Sequence, residues 1–436
     1  MSRSSRRAVV TGLGLISPLG NAPGALWDGL RSGRSGVAAV RSFPAKYLPT
    51  SFAGEAREFS GAIDDFGPLD AEKKKAIRKG LKVMCRECQM GVAAAQRALS
   101  SSGFEAAGLD PERTGIVFGS DYMMTEPQDF TAGILRCSDQ GEFDPKRWPT
   151  EGMPQLSPLW LLKYLPNMPA SHVAIYNDMR GPNNSLTLRE ASAGAAIGEA
   201  FRTITRDSAD YMLAGATGTR VHPMKAVHSI LQEEVAGNGA DPGRASRPFD
   251  LKRTGMVLGE GAGAIVIEEL QSAQRRGVKI YGEVIGAGSS TVMDPRGISD
   301  RGRALVNAMR AALRDAGLSP AEVGHINAHG LSTRSSDAEE SRAIGEVFGD
   351  RPVPVVAPKS HFGNLGAGSG VVEVIASLLA LESGELFPVL NYETPDPTCA
   401  VNVVREAGMP AGTTVLSINV TPQGQASAVV LRKFEG

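Results

Sequence analysis

The stretch GPNNSLTLREASAGAAIGEAFRTI, Gly181 to Ile204, places an acid where an anion is easily held. Turn residues (Gly181, Pro182, Asn183, Asn184) lead into a short apolar segment. A run of small residues from Ala191 then opens into Ile197, Ala200 and Phe201 at helical spacing. The pattern reads as strand, sharp turn, buried helix. A side chain on such a turn meets free backbone N–H groups and the positive end of the helix dipole. That side chain is Glu190. Two readings stay open for it: an ordinary first-turn acid, or a carboxylate set into a reactive site. Cys85 and Cys88 form a C-x-x-C, but no second Cys or His pair has metal spacing, so they read as two small packing residues and no metal is expected. Gly12-Leu13-Gly14 is weakly like a dinucleotide loop. Ser17 holds the third glycine position and no suitable acid follows a second strand, which argues against a nucleotide.

The elements that position these residues alternate between strand and helix. Arg7–Gly12 and Gly115–Gly119 read as buried strands, and Asp210–Gly218 as a strand and turn. Asp70–Leu99 reads as one long helix whose basic start (Lys73, Lys74, Lys75, Arg78, Lys79, Lys82) is either a solvated face or a docking face. Residues 121–168 are an insertion rich in Met, Trp, Tyr, Phe and Pro, suited to a tunnel wall, a subunit interface or plain core. The outline then repeats. Lys279–Gly286 is a strand, Gly302–Ala316 an amphipathic helix and His325–Gly330 a strand and turn. Val353–Leu381 is again strand, turn and small-residue helix. Such alternation implies an α/β protein of two halves, residues 1–270 and 271–436, with mostly buried sheets. The 436 residues, 42% of them hydrophobic, can build that much core, and the 51 glycines imply close packing. A formal charge of −1 gives no sign of nucleic acid or an anionic membrane. No apolar run suggests a membrane span, and MSRSSRR passes straight into a strand instead of a signal core. Four cysteines in this length fit a reducing cytoplasm.

Five ordered blocks name a family. RRAVVTGLGLISPLGN, RGPNNS, RPFD with GMVLGEGAGAIVIEEL, INAHGLSTRSSDAEE and APKSHFGNLGAGSGVVE together resemble the β-ketoacyl-acyl carrier protein synthases, the elongating condensing enzymes of the thiolase fold. The resemblance runs nearly end to end. It implies a thiolase-like fold with α-β-α-β-α layers, an acyl carrier protein bearing a phosphopantetheine-linked acyl group as partner, and no cofactor. It also implies a homodimer, or a heterodimer with a second ketosynthase. Carried over residue by residue, the family's nucleophilic cysteine falls on Glu190, its first histidine on His329, its lysine on Lys359 and its second histidine on Asn364. Asp337, Glu340 and Glu373 match residues that brace the site, and Thr333 matches a hydroxyl that meets the pantetheine arm, the other being Leu331. The loop that gates the pocket falls on Thr421-Pro422-Gln423-Gly424, so Pro422 and Gly424 would line the substrate.

Two departures bear on the first half-reaction. A carboxylate is a weaker nucleophile than a thiolate and would form a labile mixed anhydride. The family's second oxyanion donor is a backbone N–H at the position of Pro422, which has none. Losing one such donor typically costs about a hundredfold to a thousandfold in rate. The malonyl half looks better kept, with His329 and Asn364 expected to hold a thioester carbonyl while carbon dioxide leaves. Glu190 would repel a malonate carboxylate unless burial protonates it. Three functions follow from the resemblance: decarboxylation of a carrier-bound malonyl group, a non-catalytic partner like the chain-length factors, or condensation with Glu190 as acyl carrier or base.

Overall fold

The computed structural model describes residues 6–106 and 108–436, so most of the basic start MSRSSRR lies outside the described residues. Ten strands carry the fold: β1 (Ala8–Ile16), β2 (Thr114–Ser120), β3 (Asn183–Thr187), β4 (Tyr211–Thr219), β5 (Leu258–Glu269), β6 (Gly282–Thr291), β7 (His325–Asn327), β8 (Pro354–Val356), β9 (Thr414–Val420) and β10 (Gln425–Arg432). In the first half they run β3-β2-β4-β5-β1, and in the second β8-β7-β9-β10-β6. The pairing signs match: two parallel contacts around β2 and around β7, then antiparallel contacts outward. Antiparallel pairing of β1 with β6 (Ala8 opposite Val284) joins the two units edge to edge. Strands β1, β2, β4 and β5 are buried on both faces, as central strands of a sheet covered on both sides must be.

Eight of the helices among the described residues are α1 (Ala71–Gly80), α2 (Arg86–Ser101), α3 (Met168–Tyr176), α4 (Ser192–Thr205), α5 (Pro223–Gln232), α6 (Arg301–Ala316), α7 (Arg334–Phe348) and α8 (Ser369–Ser383). The small-residue helices α4 and α8 fill the middle. Ala193, Ala196, Ile197 and Ala200 share one core cluster with Val371, Val372, Ile375 and Leu378. Helices α2 and α6 cover the outer faces, completing the thiolase-like layering. Residues 366–383 are long and apolar enough to cross a bilayer, against the sequence expectation; 83% of that stretch is buried inside the fold.

Gly14 on β1 shows how tightly the layers meet. A β-carbon there would lie 2.1 Å from the Ala94 carbonyl oxygen of α2. Backbone cannot retreat as a side-chain tip can, so Gly14→Ala is expected to cost about 3 kcal/mol, read as a lowered urea midpoint at unchanged slope.

The long helix expected over Asp70–Leu99 is two helices. Asp70 caps α1 through Lys73 N at 2.7 Å. The chain then passes through a turn at Leu81–Val83, becomes extended at Met84, and restarts at α2 behind Cys85. The break is held partly by tertiary contacts, with the Cys85 N–H donating to Lys163 O at 3.3 Å. The Gln89 amide donates to Met84 O at 3.1 Å, and Arg86 is drawn to the Glu260 carboxylate. Cys88 is fully buried, and burial pushes the Cys85 thiol up to about 12, so both act as packing groups. The insertion forms a helix (Pro127–Arg136), a short hairpin and helical turns around Phe130, Phe143, Trp148 and Trp160. It is not plain core, because Leu135, Met153, Leu159 and Leu161 are exposed.

Candidate functional site

The expected elbow forms. After β3 the chain turns through Arg189, at φ 50, and Ser192 starts α4. A left-handed non-glycine costs about 1–2 kcal/mol and is kept only where the surroundings enforce it. Here Ser192 Oγ takes the Leu188 N–H at 2.8 Å and donates to Ser120 O at 3.1 Å. Glu190 points inward and is 1% exposed. Its Oε1 accepts from Arg220 Nη2 at 2.5 Å and from Asn364 Nδ2 at 3.0 Å, and its Oε2 lies 3.5 Å from Arg189 Nε.

The arginines are held in turn. Arg220, 0% exposed just past the end of β4, also faces Asp121 at 3.3 Å, just past β2. Arg189 binds Glu233 at 2.6 Å and reaches Gln423 at 3.3 Å. Behind this lies a second buried pair, Lys225 of α5 and Glu87 of α2 at 2.7 Å. Burial alone would raise the Glu190 carboxyl. The Arg189 and Arg220 charges outweigh it and hold the group well below the usual carboxylate range. The condition under which Glu190 would stop repelling a malonate carboxylate, protonation by burial, is not met: the side chain is an anion between two guanidiniums. Oε1 is taken by Arg220 and Asn364, while Oε2 faces Arg189 without a hydrogen bond; a carboxylate whose charge is held by two buried cations is a poor nucleophile.

The second group assembles at the start of the α7 connection and around Lys359. The Glu340 carboxylate accepts the backbone N–H of His329 at 2.6 Å and of Gly330 at 2.8 Å. Asp337 accepts from Leu331 N and Phe249 N. Lys359 Nζ donates to His329 O at 2.8 Å, Glu373 Oε1 at 2.5 Å and Asn419 Oδ1 at 3.2 Å. His329 Nδ1 lies 3.0 Å from Asn419 Oδ1. Burial, aided by the Lys359 charge, pushes the His329 ring down to about 3, so it is neutral. Burial raises Glu340 to about 8 and Asp337 to about 6 despite their backbone donors.

Asn364 joins Glu190 instead of standing free. Its Nδ2 is shared between Glu190 and Met256 Sδ, and its Oδ1 accepts from Gly366 N at 3.0 Å. Thr333 caps α7, accepting from Ser336 N. In the loop expected to gate the pocket, Pro422 O accepts from Ser299 Oγ at 2.8 Å, and Gly424 sits at φ 76 where a β-carbon would meet Val292 O. That turn is what requires a glycine there.

Sequence reasoning missed Arg189, Arg220, Asp121, Glu233 and Asn419. None of them sits at a motif spacing, although Arg189 directly precedes Glu190. The available signal was position: Asp121 and Arg220 immediately follow parallel core strands, whose carboxyl ends are where α/β sheets place their sites.

The chain matches the Beta-ketoacyl synthase N-terminal domain over residues 5–273 and the Beta-ketoacyl synthase C-terminal domain over residues 281–393. It is 34% identical over 404 residues to a 3-oxoacyl-[acyl-carrier-protein] synthase 2 of Synechocystis, covering 92% of this chain and 91% of that one. It is 31% identical over 440 residues to a protein of the same name in Staphylococcus aureus strain N315, covering 99% of each. Among solved structures, a β-ketoacyl synthase from Burkholderia phymatum superposes with a TM-score of 0.84 at 27% identity, covering 99% of this chain and 100% of that one. The ishigamide ketosynthase/chain length factor superposes at 0.82 and 26% identity over 100% of both. With its duplicated sheets, its elbow and its Lys-His array in place, this chain belongs to the β-ketoacyl synthase family.

Proposed function

We propose that this protein serves fatty-acid or polyketide synthesis as a ketosynthase-fold subunit that takes no acyl group itself and works beside a cysteine-bearing ketosynthase, on chains delivered by an acyl carrier protein. The observation that carries this is the clamp on Glu190. The residue at the family's nucleophile position is a buried anion bonded to Arg220 and Asn364 and faced by Arg189. An incoming acyl thioester would have to break a buried ion pair to reach it. Pro422 adds nothing at the oxyanion position, since it has no N–H. The ishigamide structure pairs a ketosynthase with a chain length factor by name, and this chain shares that fold. Strand β3 ends the main sheet order and is largely exposed, an open edge suited to a partner's strand. Lys75, Arg78, Lys79 and Lys82 lie exposed and offer a basic face to an acidic carrier.

A second reading, malonyl decarboxylation, is favoured by the intact array of His329, Lys359, Glu373 and Asn419. One experiment separates the two: intact-mass analysis of malonyl carrier protein after incubation with this protein, with and without acyl carrier protein. The expected result is no change in either mixture and no acyl adduct on this protein. It should be joined by co-purification with a cysteine-bearing ketosynthase. Loss of carbon dioxide alone would move the assignment to decarboxylation. A ketoacyl product would restore condensation and refute the clamp argument. Recovery of the homodimer alone would count against the partner role.

A further inference from the structure

We propose that Asn419 fixes His329 as the Nδ1–H tautomer, so that Nε2 presents a lone pair and any ligand group seated on it is a hydrogen-bond donor. The argument is a count of donors and acceptors. The Lys359 ammonium has three N–H groups and no acceptor. Three acceptors surround it: His329 O at 2.8 Å, Glu373 Oε1 at 2.5 Å and Asn419 Oδ1 at 3.2 Å. None is left for His329 Nδ1, whose 3.4 Å separation from Lys359 Nζ is the longest of the four. The Asn419 amide cannot be turned over. Its Nδ2 faces Glu373 Oε2 at 3.0 Å, an acceptor, and its Oδ1 faces the Lys359 ammonium, a donor. Oδ1 therefore accepts from His329 at 3.0 Å, and the ring must carry its proton on Nδ1. All four side chains are buried, so water does not compete for these bonds.

Burial and the neighbouring ammonium keep the ring from taking a second proton near neutrality. A carbonyl oxygen thus finds no donor at Nε2, whereas an O–H, N–H or S–H does find an acceptor. On this proposal His329 accepts at Nε2, where the sequence reading has it hold a thioester carbonyl together with Asn364. In the decarboxylase reading the ring would act as a base instead. Asn419 is the positioning residue, and the tautomer does not depend on which functional reading holds.

The test is long-range 1H–15N correlation NMR on protein labelled with 15N-histidine, with His329 assigned by its loss in His329→Gln. The expected wild-type pattern has a protonated Nδ1 and a lone-pair Nε2, unchanged from pH 5 to 9. Asn419→Leu, which removes the acceptor, should shift the pattern toward Nε2–H. Asn419→Asp, which keeps it, should not. A wild-type ring protonated on Nε2 overturns the proposal outright, even if no variant folds. An unchanged pattern in Asn419→Leu overturns the role of Asn419.

Discussion

Glu190→Gln should lower the unfolding free energy by about 3 kcal/mol at neutral pH, although it changes one oxygen to an NH2. Glutamine keeps an acceptor for Arg220 and for the Asn364 amide, so the geometry can persist while the charge is lost. What remains is Arg220, 0% exposed, with Asp121 at 3.3 Å and the Glu233 charge to balance it. Removing one partner of a buried pair typically costs about 3–5 kcal/mol, and Asp121 places this case at the lower end. The pH dependence has a definite sign. Glu190 is held below its ordinary value of 4.5, so its contribution is fully present above that pH and is lost as the pH falls through the folded value. The gap between wild type and Glu190→Gln should be flat above about pH 5.5 and narrow in acid. Urea unfolding across pH reads both. A loss under about 1 kcal/mol at pH 7 would mean that Arg220 does not depend on Glu190, and the clamp would no longer explain an inert site.

Lys225→Met should be as damaging, and reversible by a second substitution. Lys225 and Glu87 are 1% and 2% exposed as side chains and bonded at 2.7 Å. Burial pushes the Glu87 carboxyl up to about 7 even with the lysine present. An acid with a raised folded value gives stability below its ordinary value that is lost as the pH rises through the folded one. Without Lys225 that folded value rises further, so the loss should approach about 3–5 kcal/mol near pH 8 and shrink toward pH 5, where Glu87 protonates. Glu87→Leu combined with Lys225→Met leaves no unpaired charge and should recover most of it. Additive losses in that double-mutant cycle would show that the two groups do not act as a pair.

What the sequence by itself determined was periodic or local. Alternating apolar runs and small-residue helices specified an α/β protein of two like units, because burial on both sides of a sheet leaves no freedom at those positions. The turn before Ser192 was legible for the same reason: it is set by its neighbours in the chain. The family blocks carried His329, Lys359, Asn364, Asp337, Glu340 and Glu373 to their places, and the fold gathers His329, Lys359 and Glu373 into one array. Tertiary structure alone decided the rest. It broke the helix at Met84, because Arg86 finds its carboxylate on a distant strand, at Glu260. It set Arg220 and Asp121 on Glu190 from the ends of two neighbouring strands, 30 residues and more away in the chain. It also turned Asn419 toward His329 across a separation of 90. Charges buried that far apart have no periodicity to betray them. Whether Glu190 is a nucleophile, a base or a locked anion depends on which cations meet it, and only the packed sheet brings those cations there.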